Sequence, residues 1–264
     1  MKTIAKIFAL AMSVMMLCAA FAGCGDNGNT IVYGTSADYA PYEFHTMIDG
    51  KDTIVGYDVS LAKYIAEEAK MDIEIKDIGF DFLIQELKNG TIDMVIAAME
   101  EDPDRAKEAD FSNPYYTSIQ YVIVPANSDI ATKTEGGVTY IVWEALAGKT
   151  VATQTDTTGW IYADAEIDCE GGVLYGTETK HEAMDSANVA ADALGTTIDA
   201  IIVDELPAKY IAANSTKGFK AYPLYYTGAE GEADSPVEEQ YAIAVTKGNT
   251  ELMEAINAVL AELL

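Results

Sequence analysis

TIDMVIAAM at residues 91–99 and TIDAIIVDE at 197–205 share one design, a Thr-Ile-Asp entry into an apolar strand. A strand that is apolar on both faces belongs in a parallel sheet covered by helices on each side. Parallel neighbours need long crossover connections, so strand and helix must alternate around each of the two segments. Ligands of open α/β sheets bind beyond the carboxyl ends of the strands, and both runs end beside a polar group. The expected fold class is therefore α/β, with two lobes facing each other across a ligand cleft.

The flanking segments follow the same grammar. TIVYGTS (30–36) and MDIEIKDI (71–78) alternate as strands. GYDVSLAKYIAEEAK (56–70) sets Val59, Ala62, Ile65, Ala66 and Ala69 on one helical face, with Asp58 in the first turn. FDFLIQELKNG (80–90) reads as a helix closed by Gly90, and Pro41 makes YAPYEF (39–44) a turn. YVIVP (121–125) is a strand, and GKTVATQTDTTGWIYAD holds a strand, a turn and a helix start. The chain closes on a strand and an amphipathic helix packed through Leu252, Ala255, Ile256, Val259 and Leu260. Residues 126–148 read as loop and short helix, and KHEAM, around His181, as a helix face.

Half of the 264 residues are hydrophobic, enough for a sizeable core. With 16 Lys and Arg against 43 Asp and Glu, the net charge of -27 repels phosphate backbones and argues against nucleic-acid binding. The start, MKTIAK followed by an uncharged apolar run to Ala22, has the anatomy of a secretory signal. Its end, FAGC at 21–24, resembles the lipobox of bacterial lipoproteins, although Phe21 stands where Leu is usual. That resemblance makes Cys24 the lipidated N-terminus, residues 1–23 the signal and 24–29 a polar tether; the competing reading is an ordinary secretory signal. Cys18 leaves with the signal and Cys169 then has no partner, so no internal disulfide is expected.

Taken in order, YAPYEF, GYDVSLAKYIAEEA, ELKNGTIDMVIAAM, DRAKEADFSNPYY, GKTVATQTDTTG, IDAIIVDE and YAIAVTKGNTELMEAINAVLAEL resemble the amino-acid-binding branch of the extracellular solute-binding proteins of bacterial ABC importers. The resemblance covers nearly the whole exported chain. It implies a two-lobed, type II periplasmic-binding-protein-like fold that closes on its ligand by a hinge. Lobe one would take residues 30–118 and 240–264, lobe two 121–236, with crossing strands near Thr117–Tyr121 and Val237–Tyr241.

Carried over residue by residue, the resemblance gives Arg105 the ligand's α-carboxylate, which its planar guanidinium fork suits. Asp204 would take the α-ammonium, helped by the backbone at Ala98, while Thr157 reaches the carboxylate from lobe two. Tyr39 and Phe80 would sandwich the ligand side chain, and Ser36 would line the pocket. Two positions depart from the family: Glu100 replaces a usual Ser or Thr, and Asp156 a usual Gly. With Asp204 they make the cleft negative against Arg105 alone, favouring a basic amino acid or an amine-bearing relative; in the competing reading Glu100 neutralises Arg105 or takes the ammonium itself, and Asp156 points to solvent. Plainer roles stand beside these. Arg105 suits a helix cap or a pair with Glu101 or Asp102; Asp204 an N-cap; Tyr39 and Phe80 the core; Thr157 a turn.

The implied function is a lipid-anchored, monomeric binding subunit on the outer face of the cell membrane, serving a permease and an ATPase. It needs no cofactor, and neither His45 nor His181 has a second ligand at metal spacing. Two rivals share the fold: a dehydratase using a cleft carboxylate such as Glu100, and the ligand-binding part of a sensor. No nucleophile-elbow, Walker or dinucleotide signature supports an enzyme.

Overall fold

The structure, a computed structural model, describes residues 30–264. The expected signal, the tether and Cys24 lie outside the described residues.

Alternating strands and helices build two sheets. The first runs in the order Asp72–Asp77, Thr30–Thr35, Met94–Val95, Ala244–Thr246, Ala109–Phe111. Its first three strands are parallel and the last two antiparallel to their neighbours. Helix Tyr57–Ala69 buries Val59, Leu61, Ala62, Ile65 and Ala66, and packs against the closing helix Thr250–Leu263. The closing helix contributes Leu252, Ile256, Val259 and Leu260, so apolar spacing of three and four places both stripes at one seam.

The second sheet runs Lys180–Met184, Thr150–Gln154, Ala200–Asp204, Tyr116–Val124, Lys220–Tyr226, Val138–Val142, Lys133–Glu135. The long strand Tyr116–Val124 begins five residues before the run read from sequence, because its first half serves a different partner. Tyr116–Ile119 pairs antiparallel with Glu238–Tyr241, whereas Gln120–Ile123 pairs with Asp204–Ile201. These two strands cross between the sheets.

Three local expectations are corrected. The strand expected over 91–99 keeps only Met94–Val95 in the ladder, since Ala98 turns into the left-handed region at φ 45°. His181 lies on a strand rather than a helix, paired at Val151 and bonded to Thr153 Oγ1 at 2.8 Å. Residues 126–148 contain a hairpin, Lys133–Glu135 with Val138–Val142, before a short 3-10 turn at Trp143–Leu146. Gly136 and Gly137, at φ 60° and 85°, supply the paired positive φ that a two-residue hairpin turn requires. A further three-stranded sheet, Asp38–Tyr39, Glu43–Ile48 and Lys51–Val55, extends the segment read only as a turn.

Candidate functional site

The cleft begins where the 39–44 turn meets the start of helix Tyr57–Ala69. Gly56 makes that approach possible: at φ 139° it presses on the turn so closely that a Cβ there would sit 2.0 Å from the Tyr42 carbonyl oxygen. Tyr57 and Asp58 then donate their backbone N–H groups to the Pro41 and Tyr42 carbonyls at 3.1 and 3.0 Å. This brings Glu43 and Asp58 together in the interior, both fully buried. Asp58 Oδ2 accepts from the Ala98 amide at 2.7 Å and from the Tyr115 hydroxyl at 2.8 Å. Both Glu43 carboxyl oxygens and Asp58 Oδ1 are buried, and the donor left to serve them is a proton held between the two acids. Burial, and then the facing Asp58 charge, pushes Glu43 well above the usual carboxylate range. Burial raises Asp58 to about 6, against the opposing pull of the Ala98 and Tyr115 donors.

On the second lobe, Asp204 ends strand Ala200–Asp204 and occupies the N-cap position of helix Glu205–Asn214. Its carboxylate makes no capping bond there. It turns into the cleft instead, where Gln120 Nε2 donates to Oδ1 at 2.6 Å and the Tyr241 hydroxyl to Oδ2 at 2.7 Å. The same Gln120 nitrogen donates to Glu239 Oε2 at 2.9 Å. Glu239 is buried, and desolvation followed by the Asp204 charge raises it well above the ordinary glutamate range.

Arg105 starts the short helix Arg105–Glu108, pairs through Nε with Asp102 Oδ2 at 2.9 Å, and donates Nη1 to the Glu100 carbonyl at 2.7 Å. It is not a surface pair: the Arg105 side chain is 10% exposed. Its Nη2 reaches across the cleft to the Asp156 carbonyl, and its Cζ lies 5.4 Å from the centre of the Phe80 ring. Asp156 presents that carbonyl from a left-handed backbone, φ 59°, a conformation in which glycine is unstrained. Glu100 is half-buried; desolvation raises its pKa while Thr158 and Arg105 pull it back.

Ser36, Tyr39, Glu43, Phe80, Ala98, Gln154, Thr157 and Asp204 line one narrow cavity between the lobes, with about 10 Å³ of free space. Arg105 and Asp156 line a neighbouring groove of about 300 Å³, and Phe80 belongs to both. Thr157 spends its hydroxyl locally, donating to the Gln154 carbonyl at 2.8 Å and accepting from Trp160 N at 3.3 Å as the N-cap of helix Thr158–Ala163. A wider groove between the lobes, near Asp38, Phe44 and Tyr210, lacks an unpartnered buried charge. Sequence reasoning passed over Glu43, Asp58, Gln120 and Glu239. One signal for Glu239 was available, since alternation along Glu238–Tyr241 puts it on the same face as Tyr241.

The model of the bacterial extracellular solute-binding proteins, family 3, matches residues 31–264. The arginine-binding extracellular protein ArtP of Bacillus subtilis is 30% identical over 88% of this chain and 80% of its own length. The L-arginine-binding protein of Pseudomonas aeruginosa is 27% identical over 98% of this chain and 90% of its own. Among solved structures, the substrate-binding protein of an amino acid ABC transporter superposes with a TM-score of 0.73 at 34% identity, over 89% of this chain and 92% of that one. The AbpA protein of Streptococcus pneumoniae bound to L-arginine gives 0.74 at 27% identity, over 89% of each chain. The two-lobed α/β architecture is thus shared with amino-acid-binding proteins.

Proposed function

We propose that this chain, which belongs to the bacterial extracellular solute-binding proteins of family 3, is the ligand-binding subunit of an ABC importer for a cationic amino acid, with arginine as the first candidate. The observation that carries the reading is the acidic lining of one cavity, into which Asp204 turns from the second lobe and which the buried Glu43 also lines. Burying carboxyl groups is costly, and a cationic ligand group offsets the cost. Two acidic stations in one cavity suit a ligand with two positive groups, an α-ammonium at Asp204 and a side-chain cation toward Glu43. The names of the arginine-binding relatives support the same choice.

In this reading the ligand's α-carboxylate takes the place of the Asp156 carbonyl on the Arg105 fork. Ser36, Ala98 and the Thr157 amide complete the head-group contacts, and Tyr39 and Phe80 flank the side chain. Bonds from both lobes favour the closed arrangement, and the crossing strands Tyr116–Val124 and Glu238–Tyr241 act as the hinge. The chain works as a monomer, held to the outer face of the membrane through lipidated Cys24, and delivers its ligand unchanged to a permease with its ATPase. Among the described residues no helix is long and apolar enough to cross a membrane.

A thermal-shift panel of the chain from residue 25 against arginine, lysine, ornithine, histidine, glutamine and glutamate tests the reading, because a ligand that binds only the folded state raises its Tm. Shifts with the basic amino acids are expected. A shift confined to glutamine or glutamate removes the charge argument. Fatty-acid labelling lost in Cys24→Ser tests the anchor.

A further inference from the structure

We infer that Glu239, on the second crossing strand, is a positioning residue for Asp204. The two carboxyl groups hold one shared proton in the ligand-free protein, and it leaves when a cationic ammonium group docks on the pair. The second half of this inference rests on the proposed function; the first half does not.

The geometry is a shortage of donors. Four carboxyl oxygens meet the two hydrogens of one Gln120 amide and the single hydroxyl hydrogen of Tyr241, which lies 2.7 Å from Asp204 Oδ2 and 3.4 Å from Glu239 Oε1. Asp204 and Glu239 are 5% and 2% exposed in this closed arrangement, so both carboxyl groups are largely desolvated. Among the described residues neither forms an ion pair; the nearby guanidinium of Arg105 is committed to Asp102 and to the Glu100 and Asp156 carbonyls. Two like charges buried side by side in such a setting favour retention of one proton. Glu239 is the holder: burial and the Asp204 charge raise it, while Asp204 keeps the two shorter bonds.

The Tyr39 hydroxyl adds one donor toward Asp204, and the other ionisable groups around the pair add none. Tyr39, Tyr42 and Glu43 face it from the 39–44 turn, Glu100 from the loop after Met94–Val95, and Tyr162 from helix Thr158–Ala163. All five have raised pKa values, so at neutral pH the tyrosines are uncharged and add no cation. The location gives the network its role. Gln120 belongs to one crossing strand, Glu239 and Tyr241 to the other, and Asp204 to the second lobe. An ammonium arriving at Asp204 lowers the cost of a second negative charge. The Glu239 O–H bond then breaks, its electron pair stays on the carboxylate and the proton passes to the solvent.

The test follows the carboxyl carbon of Glu239 by NMR in glutamate-labelled full-length protein, with Glu239→Gln identifying the resonance. In ligand-free protein its titration midpoint is expected well above the ordinary glutamate range. Gln120→Leu, which removes the shared donor, moves it further up and serves if Glu239→Gln does not fold. Saturating L-arginine shifts the resonance to its ionised position, and calorimetry in two buffers of different ionisation enthalpy finds about one proton released; Glu239→Gln loses that release. An ordinary midpoint overturns the inference, as does equal proton release from the wild type and Glu239→Gln. If no basic amino acid moves any cleft resonance, the proposed function fails instead, and the ligand-free midpoint still decides whether the proton is shared.

Discussion

Arg105 of the first lobe donates its Nη2 to the backbone carbonyl of Asp156 in the second, while Asp102 holds its Nε at 2.9 Å. One guanidinium thus has a structural partner on its own lobe and a partner across the cleft. Under the proposed function a ligand carboxylate takes over the second contact, whose present acceptor is a neutral carbonyl.

Arg105→Ala is expected to weaken binding of any α-amino acid by roughly 2–5 kcal/mol, about 30-fold to several thousand-fold, with folding retained. Folding survives because the abandoned Asp102 is 17% exposed and keeps its bonds to the Asp104 and Arg105 amides. Titration calorimetry beside far-UV circular dichroism separates the two effects. Normal binding by this variant sinks the head-group assignment.

Asp156 holds a left-handed backbone that costs about 1–2 kcal/mol for a branched side chain and little for glycine. Asp156→Gly should therefore fold with a stability within about 0.5 kcal/mol of the wild type, whereas Asp156→Val should lose about 1–2 kcal/mol. Urea midpoints at constant slope measure both. Equal stability of the Gly and Val variants would mean that the backbone at 156 is not left-handed.

Glu43→Gln is expected to reduce arginine affinity by about 10- to 100-fold while leaving glutamine binding unchanged. The change keeps the size of the side chain and removes only its capacity for charge. Competition between the two ligands on the purified variant reads the outcome directly. Retained preference for arginine places the side-chain cation elsewhere in the cleft.

Asp58 sets a pH dependence. Its folded pKa of about 6 lies above the ordinary aspartate value of 3.8, so folding favours the neutral form. The stability from that preference is complete below the unfolded pKa and declines as pH rises through the folded one, by about 3 kcal/mol in all. Ligand-free protein should therefore lose stability between about pH 4 and pH 6, and Asp58→Asn should flatten that part of the curve. Denaturant midpoints across the interval provide the check, and parallel curves for the two proteins would exclude Asp58 as the source.

The buried repeats TIDMVIAAM and TIDAIIVDE, with their flanking helical stripes, were enough to read an α/β chain, and seven ordered stretches were enough to identify its family. Those signals are local: periodicity records which face of an element meets a core. The left-handed turn at Ala98 escaped that reading because one torsion leaves no periodic trace. The 133–142 hairpin was missed for another reason, a short strand pair hidden in a polar segment around Gly136 and Gly137.

The acids of the cleft were the least legible. Glu43 and Glu239 carry no signal in the sequence and Asp58 only that of a first-turn acid, because an isolated acid in sequence carries no mark of burial. Burial came from contacts between distant segments: Gly56 drawing a helix start onto the 39–44 turn, and Gln120 bridging Asp204 and Glu239 between the crossing strands. Sequence alone determined the alternation of elements, the apolar faces and the family, all properties of neighbours along the chain. Tertiary structure alone decided which carboxyl groups lose water and which donors remain to serve them, because desolvation depends on what surrounds a group in space.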